Sequence, residues 1–235
     1  MTILDLSTTT ALVTGVNRGF GRHLAQQLSE RGATVYAAAR RPESVDLSGV
    51  TPVALDITDP DSVVRAARLA SKVTLLVNNA GISTGASLLS GDLEDVRREF
   101  ETTLFGTLAV TRAFVPKIES NGGGAILNVL SVLSWLAFPE AGAYSAAKSA
   151  QWSMTNSLRV ELAPRNIRVT GLHVGYMDTD LTAGVDAPKL DPAVVAKLAL
   201  DELSAGNHEI IADELSRQVR SGLAGGVASL YPGLT

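Results

Sequence analysis

The chain has 235 residues, 46% hydrophobic and 19% charged, with mean hydropathy +0.19. That is apolar material enough for a sizeable core in one domain, and it excludes intrinsic disorder. A net charge of −4 argues against a general grip on nucleic acid or an anionic membrane, and the absence of cysteine excludes disulfides and thiolate chemistry.

Taken in chain order, short apolar runs alternate with helical periodicity. Residues 11–13 form a strand, after which Phe20, Leu24 and Leu28 mark one helical face that stops at Gly32. Strands follow over 34–38 and 51–55, then a helix opened by Asp59-Pro60 and running to about Ala70. A fourth strand spans 73–77 and a long helix 92–114. Beyond them come a strand over 125–129, a helix over 144–162, a strand over 168–172, a helix over 192–204 and a short closing strand over 208–211. Strands apolar on both faces predict an α/β fold, one doubly wound (Rossmann-type) domain with a parallel sheet flanked by helices on both sides. No apolar run reaches bilayer length and the N-terminus lacks a signal-peptide pattern, so a cytoplasmic protein is expected. Ligands of such folds sit beyond the C-terminal strand ends, which directs attention to the turns there.

The first turn reads Thr14-Gly15-Val16-Asn17-Arg18-Gly19-Phe20-Gly21. Its glycines allow a tight strand–helix turn and let backbone approach a pyrophosphate at the positive end of the next helix. The second strand ends in Ala39-Arg40-Arg41, with no acid before Glu43. A carboxylate there would suit the ribose 2′-hydroxyl of NAD; guanidinium groups from Arg40 and Arg18 suit the 2′-phosphate, so NADP(H) is the expected cofactor. Tyr144 and Lys148 are four apart on one helical face, where an ammonium can lower the phenol pKa into a useful range. Ser131, 13 residues earlier, follows the fifth strand and can polarise a carbonyl.

The glycine turn, Asn78-Asn79-Ala80-Gly81, Ser131 and Tyr144-x-x-x-Lys148 together resemble the short-chain dehydrogenase/reductase family, over about residues 10–182. The resemblance implies a carbonyl reductase in which Tyr144 donates the proton, Ser131 holds the carbonyl oxygen, and Lys148 binds the nicotinamide ribose and tunes Tyr144. It also implies cofactor contacts from Gly15, Asn17, Arg18, Gly19, Phe20 and Gly21, from Asp56-Ile57 at the adenine, from Asn79, Ala80 and Gly81, and from Gly175 and Thr179. Homodimers or homotetramers through the two long helices are implied as well, with Trp152 and Met154 as surface candidates. Two positions depart from the family pattern. In Phe100-x-x-Thr103-x-x-Gly106, Thr103 stands where an asparagine supports the proton relay, and Val174 replaces a common proline.

The pocket is expected to be walled by Leu133, Trp135, Leu136 and Phe138, with Val174 and Tyr176 opposite and a lid over 178–191. These apolar residues favour a small hydrophobic ketone or aldehyde as substrate. Two other readings compete. A cofactor-binding sensor or interaction protein would keep the glycine turn without turnover. A serine hydrolase would use Ser83 in Gly81-Ile-Ser83-Thr-Gly85, but no helix is expected directly after that serine. His23, His173 and His208 are scattered, so no metal site is expected.

Overall fold

The computed structural model describes residues 4–234. Five strands, β1 (Thr10–Thr14), β2 (Thr34–Ala39), β3 (Val50–Ala54), β4 (Leu75–Asn78) and β5 (Gly124–Val129), are joined by β6 (Ile167–His173) and β7 (Glu209–Ile211). All pair in parallel, in the order β3-β2-β1-β4-β5-β6-β7. The order reverses between β1 and β4, so a crevice opens beyond their C-terminal ends. This is the doubly wound Rossmann-type sheet that the alternation of elements predicts.

Alternate side chains of each strand enter different layers. Ala11 and Val13 pack under α1 (Gly19–Glu30) and α6 (Pro192–Ala205), where Phe20, Leu24, Leu28, Leu200 and Leu203 are buried. Leu12 points the other way, into the layer made by α2 (Pro60–Leu69), α4 (Thr107–Ser120) and α5 (Gly142–Leu162), around Phe114 and Ile118. Each fully buried large side chain contributes about 1.5–3 kcal/mol, so both layers are needed to hold the sheet. Local chemistry fixes the helix ends. Asp59 caps α2 ahead of Pro60, Asp191 caps α6 ahead of Pro192, and Gly206 at φ +95° ends α6.

Three elements differ from the sequence reading. The helix expected over 92–114 is α3 (Leu93–Phe100), a π-helical turn (Glu101–Gly106) and α4, which continues past Pro116 to Ser120. Periodicity cannot register a single widened turn, because it shifts phase by less than one residue per turn. The C-terminal helices α7 (Glu214–Gly222) and α8 (Gly226–Leu230) lie beyond the last element expected. Trp152 and Met154 are half-buried against core clusters; exposed apolar side chains on this side include Phe105 and Val160. Among the described residues no helix is long and apolar enough to cross a membrane.

Candidate active site

The glycine turn is built as a cradle. Gly15 has φ +72° and Gly19 φ +57°, both in the left-handed region that favours glycine. Gly21 is required by proximity: a methyl there would overlap the Gly15 carbonyl oxygen and the Asn79 amide. Thr14, which the sequence reading passed over, ties the strand ends together. Its hydroxyl donates to the Val77 carbonyl (3.3 Å) and accepts from the Asn79 and Ala80 amides (3.0 Å each). Asn79 Nδ2 donates back to the carbonyls of Thr14 (2.9 Å) and Gly15 (3.2 Å). Helix α1 begins at Gly19 after Arg18, with no side-chain cap. Its first-turn N–H groups therefore remain available to an anion, and the cradle fits a dinucleotide pyrophosphate.

Arg40 is exposed at the end of β2, within electrostatic reach of Asp56. Asp56 accepts from the Thr58 amide and hydroxyl, while Ile57 packs in the core against Gly106. Asn17 is exposed and Phe20 buried under α6. Arg18 does not stand beside Arg40 as an unpaired cation: its Nη1 is 3.1 Å from Asp180 of the lid, an exposed pair worth little energetically. The lid lies across the cradle, with the Thr179 side chain facing Gly19. Its base is closed by a parallel bridge between Met177 and Leu190, through hydrogen bonds of 2.9 and 2.8 Å. Gly175 donates its N–H to Asp213 (2.7 Å), the residue that caps α7.

Ser131 follows β5 and caps one turn of 3₁₀ helix, its hydroxyl accepting from the Leu133 amide at 3.1 Å. The Tyr144 phenol, from the start of α5, lies near enough to that hydroxyl for Ser131 to favour its ionised form. Lys148, one turn on, is buried; its Nζ donates to the Val129 carbonyl (2.7 Å) and to Gln151 Oε1 (3.0 Å), and lies 5.7 Å from the centre of the Tyr144 ring.

The phenol is not depressed as the Tyr–Lys spacing suggests. Burial pushes Tyr144 up to about 12, against the Ser131 hydrogen bond and with the help of the Glu99 carboxylate. The ammonium is engaged by Val129 and Gln151 and sits over the ring, so its charge is not aimed at the phenol oxygen. Burial pulls Lys148 down to about 8, opposed by Glu99. Thr103 is 1% exposed on the π turn, and its hydroxyl has no hydrogen-bond partner among the described residues.

The expected pocket wall divides. Leu133, Trp135 and Val174 are buried in core clusters, and Trp135 stacks on His173 with ring centres 3.7 Å apart. Tyr176 and Leu136 are half-buried, and Phe138 is 42% exposed. Trp135, the residue that closes the 3₁₀ turn, is thus committed to packing behind Ser131. Ser83 is exposed in an irregular segment well ahead of α3, without the strand–turn–helix that a nucleophile elbow needs. A buried amide ladder, also missed, supports the site from below: Asn78 donates to Thr111 (3.1 Å) and Asn128 (2.9 Å), and Asn128 to Thr155 (2.9 Å).

Known proteins share this arrangement. The family model for short chain dehydrogenases matches residues 9–189. A 3-ketodihydrosphingosine reductase of Bacteroides thetaiotaomicron is 32% identical, over 73% of this chain and 65% of its own length. An NADPH-dependent 1-acyldihydroxyacetone phosphate reductase of Schizosaccharomyces pombe is 34% identical, over 72% of this chain and 60% of its own. The chain thus spans slightly under two thirds of these curated relatives. A short chain dehydrogenase from Burkholderia cenocepacia, solved in complex with NADP, superimposes with a TM-score of 0.94 at 39% identity, covering 98% of this chain and 99% of that one. With its cradle, its Ser131–Tyr144–Lys148 group and these likenesses, the chain belongs to the short-chain dehydrogenase family.

Proposed function

We propose that the protein is an NADP(H)-dependent carbonyl reductase acting on a small apolar ketone or aldehyde. The observation that carries this reading is the meeting of a protonated Tyr144 phenol with the Ser131 hydroxyl, beside the buried Lys148 ammonium. When bound, the nicotinamide supplies the hydride to the carbonyl carbon. Ser131 and Tyr144 hold the carbonyl oxygen, and Tyr144 gives it a proton as negative charge grows there. A phenol held near 12 is fully protonated at neutral pH and is still a stronger acid than the alcohol formed when it protonates the alkoxide, so the resting site suits reduction better than oxidation. Lys148, bonded to Val129 and Gln151 beside the Tyr144 ring, is the residue to turn its remaining N–H toward the phenolate left behind and to hold the nicotinamide ribose.

The cradle formed by Gly15, Asn17, Gly19, Phe20 and Gly21, with Asn79, Ala80 and Gly81, is assigned to the cofactor, and Asp56-Ile57 to its adenine. Arg40 is assigned to the 2′-phosphate, with Arg18 joining it once Asp180 lets go. Gly175 and Thr179 would line the nicotinamide side. NADP in the Burkholderia protein and NADPH in the name of the Schizosaccharomyces one support the choice of cofactor. Phe138, Tyr176 and the lid over 178–191, including exposed Leu181, supply the apolar substrate surface. Phe105 and Val160 are the apolar positions for a homodimer or homotetramer contact.

The test is NADPH consumption across a panel of apolar ketones and aldehydes, with sugar phosphates and carboxylated ketones as controls. Oxidation confined to the apolar members is expected. Tight NADPH binding with no turnover on any member would instead favour a cofactor sensor.

A further inference from the structure

One buried ionisable group lies outside the proposed reaction. Glu99, near the end of α3, is completely buried immediately before the π turn. Its Oε1 accepts from the Thr84 amide at 2.5 Å, and its Oε2 has no hydrogen-bond partner among the described residues. Thr103, four residues on, is also buried with a partnerless hydroxyl. A carboxylate placed so costs several kcal/mol unless a charge answers it.

The charged and titratable groups that face it are Lys148 and Tyr144 from α5 and Arg98 from its own helix; Thr84 supplies neutral hydrogen bonds from the loop. Lys148 is itself buried, with His173 of β6 as its other titratable neighbour, and among the described residues two of its three N–H groups are engaged, both by neutral oxygens. Glu99 and Lys148 are not in direct contact, yet two buried groups of opposite sign on neighbouring helices act on each other through a low-dielectric interior.

We propose that Glu99 is a positioning residue for the Tyr144–Lys148 group: its buried carboxylate is the counter-charge to the buried Lys148 ammonium. The meaning of that charge rests on the reductase reading, where Lys148 steadies the Tyr144 phenolate. Glu99 touches neither substrate nor cofactor and acts through Lys148. Burial holds the carboxyl of Glu99 above its ordinary range, with Thr84, Lys148 and Arg98 opposing, so the pair shares one electrostatic balance.

The test titrates the lysine directly, in the cofactor-free protein labelled with ¹³C-lysine, Lys148→Met identifying the signal. In the wild type the Lys148 side chain should titrate with a midpoint near 8. Glu99→Gln keeps the shape and removes the charge, and should lower that midpoint by about one unit or more. Glu99→Asp keeps the charge and should restore most of the difference. The alkaline limb of kcat/KM should move with the lysine; a structural role alone would lower Tm and move neither. An unchanged Lys148 midpoint in folded Glu99→Gln overturns the proposal. Should that variant not fold, the reciprocal holds: Lys148→Met must raise the Glu99 carboxyl midpoint, and no rise there overturns the proposal equally. A coupled pair in a protein without carbonyl turnover would leave this inference standing and remove only the reductase reading.

Discussion

The cofactor cradle and the Ser131–Tyr144–Lys148 group lie at adjoining strand ends yet are built from different materials. The cradle is backbone, held by neutral bonds from Thr14 and Asn79 and by glycines whose absent side chains leave room. The Ser131–Tyr144–Lys148 end is buried ionisable groups: a phenol, an ammonium and, behind them, a carboxyl. The first is broken by adding atoms and is indifferent to pH. The second is broken by removing single atoms or protons. Each region should therefore fail in its own way.

The largest effect is expected at the Ser131–Tyr144–Lys148 end. Tyr144→Phe removes one oxygen and keeps the ring, so the protein should fold and bind NADPH normally while kcat falls by roughly 10²–10⁴. Retention of more than about a tenth of wild-type turnover would assign the acid elsewhere. Next is His173, wholly buried behind Ser131 and stacked on Trp135. Burial pulls it down to about 3, against a Ser131 carbonyl contact and with Arg220, Arg159 and Lys148 adding to the effect. Between its ordinary value near 6.5 and 3, the unfolded chain binds a proton that the native state refuses. Stability is thus complete above about pH 6.5 and falls as pH drops through that window, by a few kcal/mol in all. Urea midpoints measured from pH 7 to 4 check this; His173→Gln should flatten the slope.

The cradle's predictions are smaller and distinguishable from one another. Gly21→Ala overfills the turn, costing about 1–3 kcal/mol, and should weaken NADPH and NADH alike. On the proposed assignment of Arg40 to the 2′-phosphate, Arg40→Ala should weaken NADPH roughly tenfold to a hundredfold, with NADH nearly unchanged in the same titration calorimetry. Equal losses would show that the cradle does not discriminate through charge. Asp180→Ala removes an exposed ion pair and should change stability by less than about 1 kcal/mol by denaturant titration.

Most of the fold was legible because the strands are apolar on both faces and the helices carry caps such as Asp59-Pro60 and Asp191-Pro192. The grouping of Ser131, Tyr144 and Lys148, and the glycine turn after β1, were legible because fixed spacings on a strand end and one helical face bring them together. Glu99 was not, since it sits in Glu94-Asp95-Val96-Arg97-Arg98-Glu99, which reads as a solvated charged face. Its one signal was position: Val96, Glu99 and Thr103 share the inward stripe at i, i+3, i+7. Trp135 was misjudged because proximity to Ser131 in sequence says nothing of which way the indole turns. The depression expected for Tyr144 neglected burial, which outweighs a lysine committed to other acceptors.

The indole packing also determines what light reports. The chain has two tryptophans, and Trp135 and Trp152 meet edge to face at 6.0 Å beside the same imidazole, with the Arg220 guanidinium 5.6 Å from the Trp135 ring. Intrinsic emission therefore samples one corner of the molecule, the ground directly beneath Ser131. It will report protonation of His173 and loosening of α7 before it reports loss of the sheet, so fluorescence and far-ultraviolet dichroism should separate wherever that corner opens first.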